Sequence, residues 1–550
     1  MYLTEVRSRS KNKIYRCILL REAYRQGGKV KNRTLANLSH GTPGEIEAIR
    51  LALAHKSDLT VLGSLAEAVE VCEGVSIGAV WTVYQVARRL GIERALGTQR
   101  AGKVALWQVM ARVIDQGSRL SAVRLAQTHA ACDILGLRGF DENDLYENLG
   151  WLADHQRAIE RRLFRARQAE QKPKLFFYDV TSSYLEGQCN ELAAWGYNRD
   201  KKAGKPQIVI GLLGEEGGEP VATEVFQGNT RDFATLGLQV KKITEVFGCQ
   251  QVTVVGDRGM LKSDQIEELK QAGLHYITAL TKGQIRALLR QGVLHLETFG
   301  AQVGEVTQTG IRYVLRRNPQ RAAELATTRR AKQERLEREL TKYNRYLTEH
   351  PRARVDTALK VIQNQLARLR LEKWLTVRVE GRRLQVVEDP AALTAESRLD
   401  GCYVLKSDLA PAVADMHPIH DRYKALAEVE RAFRTCKTGH LEVRPVFVRT
   451  QESTRGHVLV VMLAYLIVRY LRRAWAALDL TVEEGIAQLA TLCSLQVGIK
   501  GHSTCHRLPL PREPSAQLLK AAGIHLPKVL PSQGARVVTR KQLPSHRPKP

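Results

Sequence analysis

Two short apolar runs in this chain each stop on an aspartate: LFFYDV, which contains Asp179, and QVTVVGD, which ends on Asp257. Both read as strands, and both are followed by polar or Gly-containing turns. In an open α/β sheet a carboxylate at such a point projects into the cleft beyond the strand ends, where ligands bind. Each aspartate taken alone reads equally as a cap of a turn or of the next helix. The balance shifts toward a shared cleft only when a third carboxylate, Glu430, is counted with them.

The rest of the chain divides around that sheet. With 550 residues it is too long for a single core, and several domains are expected. Residues 1–42 read as a small basic β module, because IYRCILLREAYR is followed by GGK and the basic VKNRTLANL. From 43 to 170 apolar residues recur at helical spacing, with basic residues on the exposed faces, as in a helical DNA-binding region. The segments 171–282 and 400–480 carry α/β texture. Between them, 283–399 includes a charged helix stopped by Pro351 and a second helix over 355–373 that completes a hairpin. Residues 481–550 form a C-terminal region that becomes Pro- and Arg-rich, a basic disordered tail.

Charge narrows the partners. Lys and Arg number 84 against 57 Asp and Glu, a net charge of +27 spread over most segments, which points to a polyanion such as nucleic acid. Nine scattered cysteines with no CxxC argue against a disulfide framework and fit a reducing cytoplasm. The apolar run VLVVMLAYLIV at 458–468 is too short to span a bilayer and reads as a buried helix, so no membrane is expected. No Walker A sequence or strand-linked GxGxxG is present, which leaves no case for a nucleotide cofactor. HPIH and GHSTCHR lack a second ligand pair at finger spacing, and Trp374 reads as a core residue at the start of WLTVRV in preference to a platform for a base flipped out of distorted duplex DNA.

A third carboxylate lies in YKALAEVERAFRTCKT, residues 423–438. Leu426, Val429 and Phe433 form its apolar stripe, while Tyr423, Glu430 and Lys437 recur every seven positions. At ~100° per residue a seven-residue step returns to nearly the same face, which places the three on the polar border of one helix. Glu430 is open to a second reading, as the partner of Arg434 at i+4 on a solvated face. Three carboxylates gathered without permanent partners raise one another's pKa unless cations compensate. Hard oxygen ligands without His or Cys suit Mg²⁺ or Mn²⁺, and two such ions about 4 Å apart serve phosphoryl transfer.

The combination resembles the insertion-sequence DDE transposases marked by Tyr-x2-Arg-x3-Glu-x6-Lys, in the group with a large insertion before the Glu. Tyr423, Glu430 and Lys437 fit that spacing, Leu426 stands at the Arg position, and Arg434 on the same stripe is placed to supply a charge. FYDVTSSY and VVGDRGM match the family's first two acidic motifs, and GNTRDFATL at 228–236 its connecting segment. The resemblance runs from residue 1 to about 475. It implies a multidomain α/β protein whose ribonuclease H-like mixed-sheet core (171–282 and 400–480) is interrupted by an insertion domain (283–399), with an N-terminal β and helical DNA-binding region.

It further implies that Asp179, Asp257 and Glu430 are catalytic and bind two Mg²⁺ or Mn²⁺ ions, and that Tyr423, Lys437 and Arg434 contact DNA. The implied activity is binding of the terminal inverted repeats of a mobile element, cleavage at its ends, and joining of the 3′-OH ends to target DNA. A homodimer in the synaptic complex and a nucleoid-associated cytoplasmic location follow from the same resemblance. The alternatives are a structure-selective nuclease using the same three carboxylates, and a DNA-binding regulator without catalysis.

Overall fold

The computed structural model describes residues 1–10, 13–57, 69–167, 173–187, 189–437, 441–444, 446–499, 505–528 and 537. β1 (Tyr2–Ser10), β2 (Lys13–Gln26) and β3 (Lys29–Asn37) form an antiparallel meander at the N-terminus. Gly27 and Gly28 make its second turn at φ of 60° and 76°, a conformation that side chains resist. α1 (Pro43–Ala54) follows behind a reciprocal cap: Thr42 Oγ1 accepts from Glu45 N and Glu45 Oε2 accepts from Thr42 N.

β4 (Val69–Ser76) breaks the helical reading of 43–170, and its alternation of Val69 and Val71 with Glu70 is the period-two signal that the reading passes over. α2 (Gly78–Arg89), α3 (Arg100–Ile114), α4 (Arg119–Thr128) and α5 (Glu142–Arg167) come next. These helices do not simply present basic faces to solvent. In α3 every residue from Val104 to Val113 is buried, with Trp107 and Met110 fully enclosed.

The central sheet has eight strands. β5 (Leu175–Tyr184), β6 (Gln207–Glu215) and β7 (Pro220–Gln227) are antiparallel, β8 (Thr253–Gly256) runs parallel to β5, and β9 (His275–Ala279) runs parallel to β8. Beyond β9 lie β14 (Cys402–Ser407), then β11 (Ile311–Arg317) and β10 (Gly304–Gln308), all antiparallel. This is the mixed sheet expected. The sheet is covered on both faces: Leu175, Phe177 and Val255 join the main core, whereas Phe176, Tyr178 and Val254 pack against the helical segments at 236–246 and 263–271. Because strand side chains alternate, Asp179 falls on the face of Leu175 and Phe177, and Asp257 on that of Val255.

The excursion from this sheet is shorter than 283–399. β10 and β11 lie inside that range yet belong to the sheet, since Tyr313, Val314 and Leu315 are apolar and buried beside β14. What leaves the sheet is α6 (Pro319–Glu349), α7 (Val355–Leu369), the hairpin β12 (Leu375–Glu380) and β13 (Arg383–Glu388), and the short helix Pro390–Ser397. They close a small core of their own around Leu336, Leu347, Ile362 and Trp374. The charged helix α6 buries only Leu336 and Leu347, as its composition predicts.

The segment read as one helix over 423–438 is two: α8 (Met416–Ala425) and α9 (Ala427–Lys437). At Leu426 the bonds tighten to three-residue steps, with Leu426 N donating to Tyr423 O and Val429 N to Leu426 O. Leu426 is 6% exposed and held in the main core, so the seven-residue stripe crosses a break fixed by packing.

α10 (Gln451–Ala474) is buried along most of its length. It lies along α5 and α3, and it is the one helix among the described residues long and apolar enough to cross a membrane. Gly456 permits the close contact, because a Cβ there would meet Leu149 O at 2.1 Å. The C-terminal region is not a separate body. α11 (Val482–Ala490) packs on α2, β15 (Cys493–Ile499) pairs with β4 and with β16 (Cys505–Arg507), and α12 (Glu513–Ala521) packs on α11. Thus part of the expected tail is helical, while 529–536 and 538–550 lie outside the described residues.

Candidate active site

The register of the two parallel strands brings the aspartates together. Tyr178 is level with Gly256, so Asp179 and Asp257 are the next residues in step on neighbouring strands. α9 crosses the same face of the sheet with Val429, Ala432 and Phe433 buried against the core, which leaves Glu430 on its open side. All three carboxylates line one cleft of about 450 Å³, together with Arg199, Asp232, Arg434 and Lys437.

The three differ from every other acid in the cleft in lacking cations. Among the described residues no ion pair is seen for Asp179, Asp257 or Glu430. Glu428, two residues earlier, pairs with Arg431 at 2.6 Å and is not in the cleft. Asp179 accepts one bond, from Val180 N at 2.8 Å. Burial first, then the neighbouring charges of Asp257 and Glu430, pushes its carboxyl up to about 7.

Around this centre the charges are matched. Arg199 donates to both oxygens of Asp232, at 2.7 and 2.6 Å, and both residues line the cleft. Lys437 is 8% exposed, off the polar border expected for it, and donates to Asp200 at 2.8 Å. Arg444 also donates to Asp200 and, through Nε, to Lys437 O. Asp200 therefore holds two cations at the cleft wall, a role that no motif in the sequence announces. Tyr423 comes from α8 and donates its hydroxyl to Asp257 Oδ1 at 3.3 Å; burial, then that carboxylate, raises the phenol above its ordinary range. Arg434 lines the cleft from the exposed side of α9.

The donor set fits a hard divalent cation: three oxygen ligands, no sulfur or imidazole, and a carboxyl whose raised pKa a cation would bring down. Among the described residues no three acids, His or Cys are already drawn together as a metal cage. Ligation would have to close the gap between strands and helix. HPIH does not offer an alternative site, since His420 stacks on Tyr403 and bonds its hydroxyl and Asp421.

Comparison with known proteins agrees with this chemistry. The family described as Transposase DDE domain matches residues 170–467, more than half of the chain and the whole of the carboxylate cleft. The family described as IS1634 family transposase, N-terminal domain, matches residues 3–61, which holds the basic meander and α1. No curated protein matches the chain. Among solved structures, the piggyBac transposase in a synaptic complex with hairpin DNA, determined by electron cryomicroscopy, aligns over 80% of this chain and 75% of its own, at 9% identity and a TM-score of 0.34. The family matches identify the chain: it belongs to the DDE-domain transposases of insertion sequences, enzymes that move DNA with the help of divalent metal.

Proposed function

We propose that this transposase cuts and joins DNA in the cleft of Asp179, Asp257 and Glu430, with two divalent ions, Mg²⁺ or Mn²⁺, held by those three side chains. The observation that carries the reading is that the only unpaired acids lining the cleft among the described residues come from three separate elements onto one face of the sheet. Ions bound there would stabilise the attacking and leaving oxygens of an in-line displacement at phosphorus. The chain's own residues set the geometry. Strand register fixes the two aspartates, the buried stripe of α9 fixes Glu430, and the Tyr423 hydroxyl orients Asp257.

The cationic wall of Lys437, Arg444 and Arg434 faces the phosphates beside the scissile bond, where such contacts position a strand without reading its sequence. The substrates are the terminal inverted repeats of the element that encodes the chain, and the freed 3′-OH ends are joined to target DNA by a homodimer that holds two ends. The basic meander at 1–42 serves as an end-binding module, and the excursion from the sheet as a clamp on the ends.

Incubation of the protein with end DNA, a target plasmid and Mg²⁺ tests this. Joined products are expected from the wild type and none from Glu430→Gln. Cleavage without joining indicates a nuclease, and metal-independent retention alone indicates a regulator.

A further inference from the structure

Next to the carboxylate cleft, and sharing Arg444 with it, is a second cavity of about 620 Å³ between α3, α4, α10 and the loop after α9. Its wall contains two arginines that are more than nine-tenths buried, Arg112 at 6% and Arg119 at 7% exposure. Among the described residues neither has a carboxylate within ion-pair distance. Arg112 Nη1 donates to Gln116 O at 2.6 Å, and Arg119 Nη2 meets His457 Nδ1 at 3.1 Å. His457 Nε2 is bonded to Val443 O, which makes that nitrogen the donor and Nδ1 the acceptor for Arg119.

Among the described residues Arg119 Nε is buried with no hydrogen-bond partner. Burial, then the charge of Arg112, disfavours the charged form of Arg119, yet a guanidinium does not give up its proton in a protein. The acid in the cavity wall is Glu442, held at φ 42° in the left-handed region.

Asp115 and Glu442 favour the charge of Arg112 only from beyond ion-pair distance, and two like charges buried together with no paired counter-ion cost stability unless something anionic completes the site. The cavity also takes in Gly117, Ser118 and Arg119, the start of α4, where the helix dipole favours an anion although the Ser118 hydroxyl already accepts from Ser121 N. Phe447 and Tyr146, 71% and 45% exposed, stand at its lip as surfaces for a sugar or base.

We propose that this cavity is an anion site for a backbone phosphate of the DNA strand that runs on from the carboxylate cleft, held by Arg112, Arg119 and the start of α4. That the anion belongs to DNA rests on the reading of the neighbouring cleft as the place of cutting. The arginines and the cavity do not.

The test compares wild type with Arg112→Met and Arg119→Met in two measurements. Melting is followed in inorganic phosphate and in chloride at equal ionic strength, and affinity for a linear DNA duplex is followed across a salt series. Phosphate is expected to raise the wild-type melting temperature above its value in chloride, and each Met variant to lose that rise. Each variant is also expected to bind the duplex about tenfold more weakly, with the slope of log affinity against log salt shallower by about 1.

Glu442→Gln, which removes the competing acid, should enlarge the phosphate effect and tighten DNA binding, and it decides the matter should a Met variant fail to fold. A phosphate-specific rise that survives in the Met variants overturns the proposal, as does an unchanged salt slope or an inert Glu442→Gln. The phosphate arm contains neither DNA nor metal, so its outcome is independent of the cutting assay.

Discussion

Two clusters of charge touch the central sheet, one buried and one lining an open cleft, and they are built in opposite ways. At Glu160 on α5 the network is closed: Lys242 Nζ lies 2.7 Å from the carboxylate, and Thr223 N and Gln156 Nε2 donate to it at 3.0 and 2.8 Å. Lys242 in turn reaches Glu224 at 2.9 Å and Thr223 O at 2.8 Å. Burial pushes the Glu160 carboxyl up, while Lys242 and these bonds pull against it. At Asp179 the network is open. One backbone N–H donates to it, and it shares the cleft with Asp257 and Glu430, none of the three being paired with a cation among the described residues. A closed network orders the fold; an open one is unfavourable until a ligand completes it.

The sharpest way to break this contrast is to neutralise the open cluster. Asp179→Asn, Asp257→Asn and Glu430→Gln should each lower single-turnover cutting by at least about a thousandfold, and any pair should be scarcely worse than one, because the three act as a unit. Melting should not fall, and for Asp179→Asn it should rise. A loss of activity that tracks a loss of folding would show that the cleft acids are structural.

The closed cluster should respond in the other way. Lys242→Met leaves Glu160 buried without its cation and should cost about 3–5 kcal/mol of stability, read from the denaturant midpoint. Adding Glu160→Gln to the same chain should recover much of that loss. Unchanged stability in Lys242→Met would mean that its bonds contribute nothing net.

A smaller effect concerns pH in metal-free protein. The folded Asp179 carboxyl lies at about 7, above the 3.8 of the free side chain, so the native state binds the proton more tightly. Its contribution is complete below about pH 4 and is lost as pH rises through about 7, on the order of a few kcal/mol. Melting curves taken with a chelator should show this decline, Asp179→Asn should abolish it, and Mg²⁺ should offset it by favouring the charged form. A wild-type profile that is flat over this range would show that the cleft leaves the Asp179 carboxyl unperturbed.

Much of this centre was legible in the sequence, because it depends on local rules. The apolar runs around Asp179 and Asp257 are strands, although β5 does not stop at Asp179 but runs on, buried through Ser183, to Tyr184, and only Asp257 lies just past a strand end; strand parity puts both acids on one face. The buried stripe of Val429 and Phe433 likewise leaves Glu430 outward. Long-range pairings were not legible. Asp200 holding Lys437 and Arg444, Asp232 holding Arg199, and β4 completing a sheet with β15 all join residues that no periodicity links. The break at Leu426 was hidden for a related reason. A seven-residue repeat reads the same through one helix or two, and the choice is made by how deeply Leu426 is drawn into the core.

Tyr423 stands between the two kinds of cluster, and the smallest predicted effect is its own. The repeat with Glu430 and Lys437 suggests a phenol that grips phosphate, but the hydroxyl donates to Asp257 at 3.3 Å, a long bond that closes the open cluster only in part. Tyr423→Phe keeps the ring packed against the core and removes only the donor. A neutral hydrogen bond is worth about 1 kcal/mol net, so cutting should fall by less than about tenfold. The direction of the accompanying change tells the roles apart. If the hydroxyl orients Asp257, the variant needs more Mg²⁺ for half-maximal cutting and binds DNA as well as wild type does. If it grips a phosphate, DNA affinity falls and the Mg²⁺ requirement stays where it was. The geometry favours the first outcome, because the hydroxyl is already committed to a carboxylate that the ions would share.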